Sequence, residues 1–182
     1  MNATHLMGGN MSYQYIADLG NGKVRYKIIL KVYRDCGQSD VQFDQTIEVG
    51  VYENVNGNFK SFDAVLNFVS EKNVNPPWST NCPQFNSLKF CVKEGYFEAT
   101  IDVNKSIYGY HLWYQRCCRN LQANVRKDEG QGYYGFIPNT NIKNSSPDFA
   151  KIPTPVICVN DTIDIENSAT DPDGDSLVYS VV

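Results

Sequence analysis

Residues 23–33 read KVRYKIILKVY, and within them Val24, Tyr26, Ile28, Leu30 and Val32 alternate with Lys23, Arg25, Lys27 and Lys31. Side chains two positions apart on an extended chain share a face, so this alternation specifies a strand with one face in a core and the other in water. A helix would spread the same residues around its whole circumference and bury none of them well. The pattern recurs along the chain. VQFDQTIEVGVY (41–52) sets Val41, Phe43, Ile47, Val49 and Val51 at strand spacing, and YFEATIDV (96–103) turns Phe97, Ala99, Ile101 and Val103 inward. SIYGYHLWYQRC (106–117) is apolar on both faces. Residues 62–69 fit two periods: Phe62, Val65, Leu66 and Val69 have helical spacing, whereas Phe62, Ala64, Leu66 and Phe68 have strand spacing. The β character of everything around them decides for strand.

Turn chemistry falls between these runs, in LGNGK, NVNGN, NPPW and KEGY. Asn-Gly at 21–22 and at 56–57 predicts hairpins. Several short strands at regular spacing with no helical pattern predict an all-β fold, an antiparallel β-sandwich of Ig-like or jelly-roll-like type. After YYGFIPN the chain becomes polar and carries three prolines in TNIKNSSPDFAKIPTP. That stretch reads as a connector, giving a β-sandwich domain over 1–143 and a linker over 144–155. VICVNDTIDIE and SLVYSVV then predict the first strands of a second, incomplete Ig- or cadherin-like domain over 156–182.

The cysteines are Cys36, Cys82, Cys91, Cys117, Cys118 and Cys158. An even count without C-x-x-C spacing fits disulfides better than zinc, and so an oxidising compartment. Cys82 and Cys91 flank a short segment and form the expected local pair, stabilising by about 2.7 kcal/mol on loop entropy. Cys117 and Cys118, adjacent on what reads as a strand, point to opposite faces and would tie it to two places, Cys36 and Cys158. A vicinal Cys117–Cys118 bond is the strained alternative.

A net charge of −4 with no clustered Lys and Arg excludes a nucleic-acid footprint. No run of about 18 apolar residues predicts a membrane-spanning helix. Nucleophilic catalysis has little to work with: the only histidines are His5, in the terminal segment, and His111, in a strand beside Trp113. GQGYYG (130–135) matches a dinucleotide-binding fingerprint, but FIPN follows it and cannot open a helix. It reads as a flexible hairpin loop. The chain is therefore expected to be non-catalytic.

Two constellations remain. In ATDPDGDSLVYS, Asp171, Asp173 and Asp175 place carboxylates at alternate positions of a turn, a set suited either to a hard cation such as Ca²⁺ or to a solvated acidic turn. Tyr110, Trp113 and Tyr114 lie in an aromatic-rich region whose rings, if exposed, would stack on sugars and, if buried, would fill a sandwich core.

In order, THLMGGNMSY, YKIILKVYRDC, YGYHLWYQRCCRN, NSSPDFAKIPTPVICVN and SATDPDGDSLVYS resemble the N-terminal region of large secreted surface proteins of Bacteroidetes. Those proteins often end in the gliding-motility-associated sorting domain of the type IX secretion system. The resemblance covers nearly the whole chain; residues 53–90 share only a paired-cysteine segment. It implies handling by the secretion machinery, a place on the outer cell surface, tandem Ig- or cadherin-like repeats downstream, and contact with surface glycans or other surface proteins. With no long apolar run, no direct membrane insertion is expected. In cadherin-like repeats a D-x-D-G-D turn binds calcium, and Asp171, Asp173 and Asp175 match it position by position. Members often carry a cysteine soon after this motif, whereas Val181 and Val182 follow here, which leaves the partner of Cys158 open. O-glycosylation at Asp-Ser/Thr-aliphatic triplets, also implied, would fall on Thr162 and Ser176. The expected role is a structural or adhesive module, with a carbohydrate-binding module or a self-assembling fibre subunit as the alternatives.

Overall fold

The computed structural model describes residues 6–37, 42–74, 91–117, 129–149, 162 and 166–180. Nine strands occur among them and no helix: β1 (Leu6–Asp18), β2 (Lys23–Asp35), β3 (Thr46–Val55), β4 (Asn58–Val74), β5 (Val92–Asn104), β6 (Tyr110–Arg116), β7 (Gln131–Ile137), β8 (Asp148–Phe149) and β9 (Ala169–Thr170). The first seven form one antiparallel sheet in the order β1-β2-β5-β4-β3-β6-β7, and β8 and β9 pair separately. Several strands run to 13 residues and β4 to 17, long beside a usual strand of about five or six. Length lets the sheet twist and fold back on itself, so its two halves face each other across a single core.

That core is the inward row of each strand. Val24, Tyr26, Ile28, Leu30 and Val32 of β2 are buried, as are Val49 and Val51 of β3, Leu66 of β4, Phe97 of β5, Leu112 of β6 and Ile137 of β7. The outward residues of β2 meet opposite charges on β5. Arg25 holds Asp102 through two bonds of 2.6 and 2.8 Å, and Lys27 lies 3.2 Å from Glu98. The basic character of KVRYKIILK is thus matched across the ladder. Residues 62–69 lie in β4 as the alternation predicts, with Ala64 and Leu66 buried.

The sheet's two ends come together. The Tyr133 hydroxyl of β7 donates to the Gly8 carbonyl of β1 over 3.2 Å. Further along β1, residues 144–146 cover the remaining edge. The Tyr13 amide donates to the Ser146 hydroxyl and the Ser146 amide to the Tyr13 carbonyl, each at 2.9 Å, while the Tyr15 amide reaches the Ser145 hydroxyl at 3.1 Å. An uncovered edge strand would offer a template for association; here the segment expected as a linker does the covering.

Both predicted hairpins form. Asn56 (φ 53°) and Gly57 (φ 84°) sit between the paired Val55 and Asn58, the two left-handed residues that a two-residue type I′ turn demands. Other expectations are corrected. KEGY is no turn: Lys93–Tyr96 lie inside β5, where Gly95 leaves the space that the Phe43 ring fills. Phe43 itself precedes β3, which begins at Thr46. GQGYYG is not a hairpin loop but enters β7, with Gly132 and Gly135 in the strand. Residues 176–180 form no strand, and Val178 is exposed.

The disulfide pairing also differs from expectation. Cys91 bonds to Cys36, with Cα atoms 4.9 Å apart, so the expected Cys82–Cys91 bridge and the expected tie from Cys36 to Cys117 or Cys118 are both overturned. The ladder explains it. Asp35 pairs with Val92, so Cys36 and Cys91 are the next rung of β2 and β5, and the Cys36 amide donates to the Cys91 carbonyl at 2.9 Å. Antiparallel register outranks nearness in sequence. Cys117 is disulfide-bonded as well, but β6 ends at Arg116, so the opposite-face argument does not reach it. Cys82, Cys118 and Cys158 lie outside the described residues.

Candidate functional site

The predicted aromatics separate by strand parity. Tyr110 and Tyr114 point to the inner side of β6. Tyr110 is buried and its hydroxyl donates to the Asn104 carbonyl at 2.9 Å. Tyr114 is half-buried and stacks on Tyr133 with centroids 5.7 Å apart. Burial pushes the phenol of each up to about 12, as expected for hydroxyls whose charged form would lose its water. Neither offers a platform.

Trp113 points the other way and is 43% exposed. Its neighbours across the β6–β7 ladder are Tyr134, 55% exposed, and the His111–Phe136 pair one step along. The His111 and Phe136 rings lie 4.8 Å apart, and His111 Nδ1 is 2.7 Å from the Tyr134 hydroxyl. Trp113 and Tyr134 are 6.4 Å apart and inclined at 58°. The rings therefore make a bent cradle instead of a flat strip. His111, Tyr134 and Phe136 are the members that period-two reading of HLWYQ and GYYGF could have supplied, had GQGYYG been read as strand.

Glycine shapes this face. A Cβ on Gly132 would lie 2.9 Å from the Trp113 ring, so the indole rests on bare backbone. On β3, Gly50 stands opposite Trp113 and Tyr52 opposite His111. A depression of about 490 Å³ opens there, bordered by Glu48, Tyr52, Asp63, Trp113 and Gln115 among others. Carboxylates, an amide and aromatic rings thus share one outward surface of β3, β4, β6 and β7. Such a set can accept hydrogen bonds from hydroxyls while the rings cover an apolar patch.

The aspartate turn is built differently. The Asp171 carboxylate accepts from the amides of Asp173 and Asp175 at 2.8 and 3.1 Å, capping its own turn at Gly174, whose φ is 84°. Asp173 accepts from the Ser145 amide at 2.6 Å and pairs with the Lys143 ammonium at 3.3 Å. Partial burial raises its pKa, but the Ser145 and Lys143 contacts outweigh this and hold it below the ordinary carboxylate value. Calcium takes roughly six to eight converging oxygens. Here one Asp171 oxygen is turned onto its own backbone, Asp173 faces a lysine, and Asp175 is exposed. No three His, Cys, Asp or Glu converge elsewhere among the described residues. Thr162 and Ser176 are both exposed.

No protein-family model, curated protein or solved structure matches the chain. What its fold and site define is a disulfide-braced, antiparallel all-β module with an exposed aromatic face. Among the described residues no helix is long and apolar enough to cross a membrane, and the Cys36–Cys91 bridge is compatible with an extracellular setting.

Proposed function

We propose that this chain is a non-catalytic, extracellular adhesion module of a larger bacterial surface protein, and that it adheres to saccharide through the outward face of β3, β6 and β7. One observation carries the reading: Trp113 and Tyr134, directly paired across two strands, are both large aromatics turned to solvent. Exposed aromatics of this size are costly to leave in water, and a group of them beside carboxylates marks a surface built for contact. Sugars suit it, because their C–H faces cover rings while their hydroxyls reach Glu48, Asp63 and Gln115. The resemblance to type IX-exported surface proteins supports placement at the outer cell surface, joined to further repeats of the same polypeptide. The Cys36–Cys91 clamp across β2 and β5 suits a tether under load.

A glycan array probed with the wild type and with Trp113→Ala and Tyr134→Ala tests the proposal. Binding to a defined set of glycans that both substitutions abolish supports it. Binding that survives both would move the adhesive surface elsewhere.

A further inference from the structure

The inward rows of β3 and β4 change character before they end. On β3, Ile47, Val49 and Val51 belong to the core, and the next inward position is Glu53. The matching row on β4 runs Leu66, Ala64, Phe62 and Lys60, each opposite its β3 counterpart. Rows aimed at a core ordinarily stay apolar, so charges at these positions mark a place where the interior opens. It opens at the hairpin end of the sheet into a pocket of about 240 Å³ lined by Glu53, Lys60, Ser61, Phe62, Asn104 and Tyr110, with Lys23 and Asp102 at its rim.

Glu53 is only 9% exposed. Among the described residues nothing donates a hydrogen bond to its carboxylate or pairs with it. Lys60, directly across the ladder, and Lys23 are both exposed and form no ion pair with it. The Tyr110 hydroxyl is already given to the Asn104 carbonyl. The side chain is mostly buried, yet its carboxylate oxygens are not sealed from solvent and face the pocket without a protein donor, and that open acceptor is the informative feature. Phe62, 43% exposed, supplies an apolar flank.

The lining selects among ligand classes. Two ammonium groups at the mouth oppose a simple cation, and Glu53 opposes a simple anion. Hydroxyl groups satisfy both, donating to the carboxylate and accepting from Lys23, Lys60 and Ser61. The volume lies below the roughly 300–1,000 Å³ of pockets for larger ligands, so it suits one ring and not a chain. We propose that this pocket holds a single terminal sugar ring whose hydroxyls donate to Glu53 and whose C–H face rests on Phe62. It faces inward from β3 and β4, opposite in parity to the Trp113 surface, and stands whether or not that surface binds.

Amide chemical-shift mapping with methyl glycosides of hexoses, N-acetylhexosamines and 6-deoxyhexoses tests it. One of these probes is expected to give saturable shifts at Ser61, Phe62 and Asn104. Glu53→Gln, which keeps the shape and removes the charge, should weaken that probe by about ten-fold or more. Phe62→Ala, at a half-exposed site, should weaken it while the remaining spectrum stays dispersed. Trp113→Ala should leave it unchanged. No shift at these amides at tens of millimolar, undiminished binding by Glu53→Gln, or loss through Trp113→Ala would each overturn the assignment.

Discussion

The Arg34 guanidinium lies 4.5 Å from the centre of the Phe43 ring, buried, and its three nitrogens have no hydrogen-bond partner among the described residues. A ring face offsets only part of the cost of taking a cation out of water. Arg34→Met fills similar space without the charge and is expected to stabilise the fold by about 1–3 kcal/mol in urea unfolding. Phe43→Leu leaves the charge without its ring and should destabilise by about 1–2 kcal/mol. A less stable Arg34→Met protein would contradict this.

The Cys36–Cys91 bridge closes a loop with a sequence separation of 55 residues. Loop-closure entropy gives it about 4 kcal/mol. The Cys36→Ser/Cys91→Ser double variant, which leaves other bridges intact, should melt roughly 8–16 °C below the wild type by calorimetry. An unchanged Tm would remove the bridge from the stability account.

Asp173 carries the contact between the aspartate turn and Ser145, and through Ser145 the cover on β1. A carboxylate held below its ordinary pKa lends stability that is full above the ordinary value and is lost as pH falls through the lower folded one, so this contact should fail only in acid below the ordinary carboxylate range. At neutral pH, Asp173→Ala should mimic the acid state. Hydrogen exchange at the Tyr13 and Tyr15 amides is expected to quicken, while exchange at Ile28 and Leu30 stays slow. Equal exchange in variant and wild type would show that the turn does not hold the cover.

Burial raises the phenols of Tyr13, Tyr26, Tyr33, Tyr96, Tyr110 and Tyr114. A folded pKa above the unfolded value adds stability below about pH 10 that disappears as pH rises through the folded value. For Tyr13 and Tyr26 that value is about 12. Phenolate absorbance should therefore rise in two phases, the second coinciding with loss of the near-ultraviolet circular dichroism. A single phase near pH 10 with the fold intact would contradict the burial of these rings.

Strand parity was the legible part of this chain. It placed β2, the ambiguous residues of β4 and the inward row of β5, because one buried face leaves little choice of register. The disulfide was hidden because partner choice depends on which strands pair, and β2 pairs with β5, past the β3 and β4 strands that lie between them in the chain. Glycine misled twice. Gly95 and Gly132 read as loop signals, yet each sits in a strand beneath a ring, Phe43 in one case and Trp113 in the other. Glu53 and Lys60 were within reach. Extending the alternation of β3 one step past Val51, and that of β4 one step before Phe62, lands a charge on the core-facing row at both places. Trp113 and Tyr114 likewise separate by parity alone; which face is outward depends on the pairing of β6 with β3 and β7.

The adhesive reading meets its most direct test in affinity electrophoresis through gels cast with soluble plant, algal and bacterial polysaccharides. The wild type is predicted to be retarded by at least one of them. Trp113→Ala, and Gly132→Ala, whose added methyl displaces the indole, are predicted to run as in a blank gel while keeping the wild-type Tm. Equal retardation of the wild type and Trp113→Ala, or free passage of the wild type through every gel, would contradict a saccharide-binding face on β3, β6 and β7.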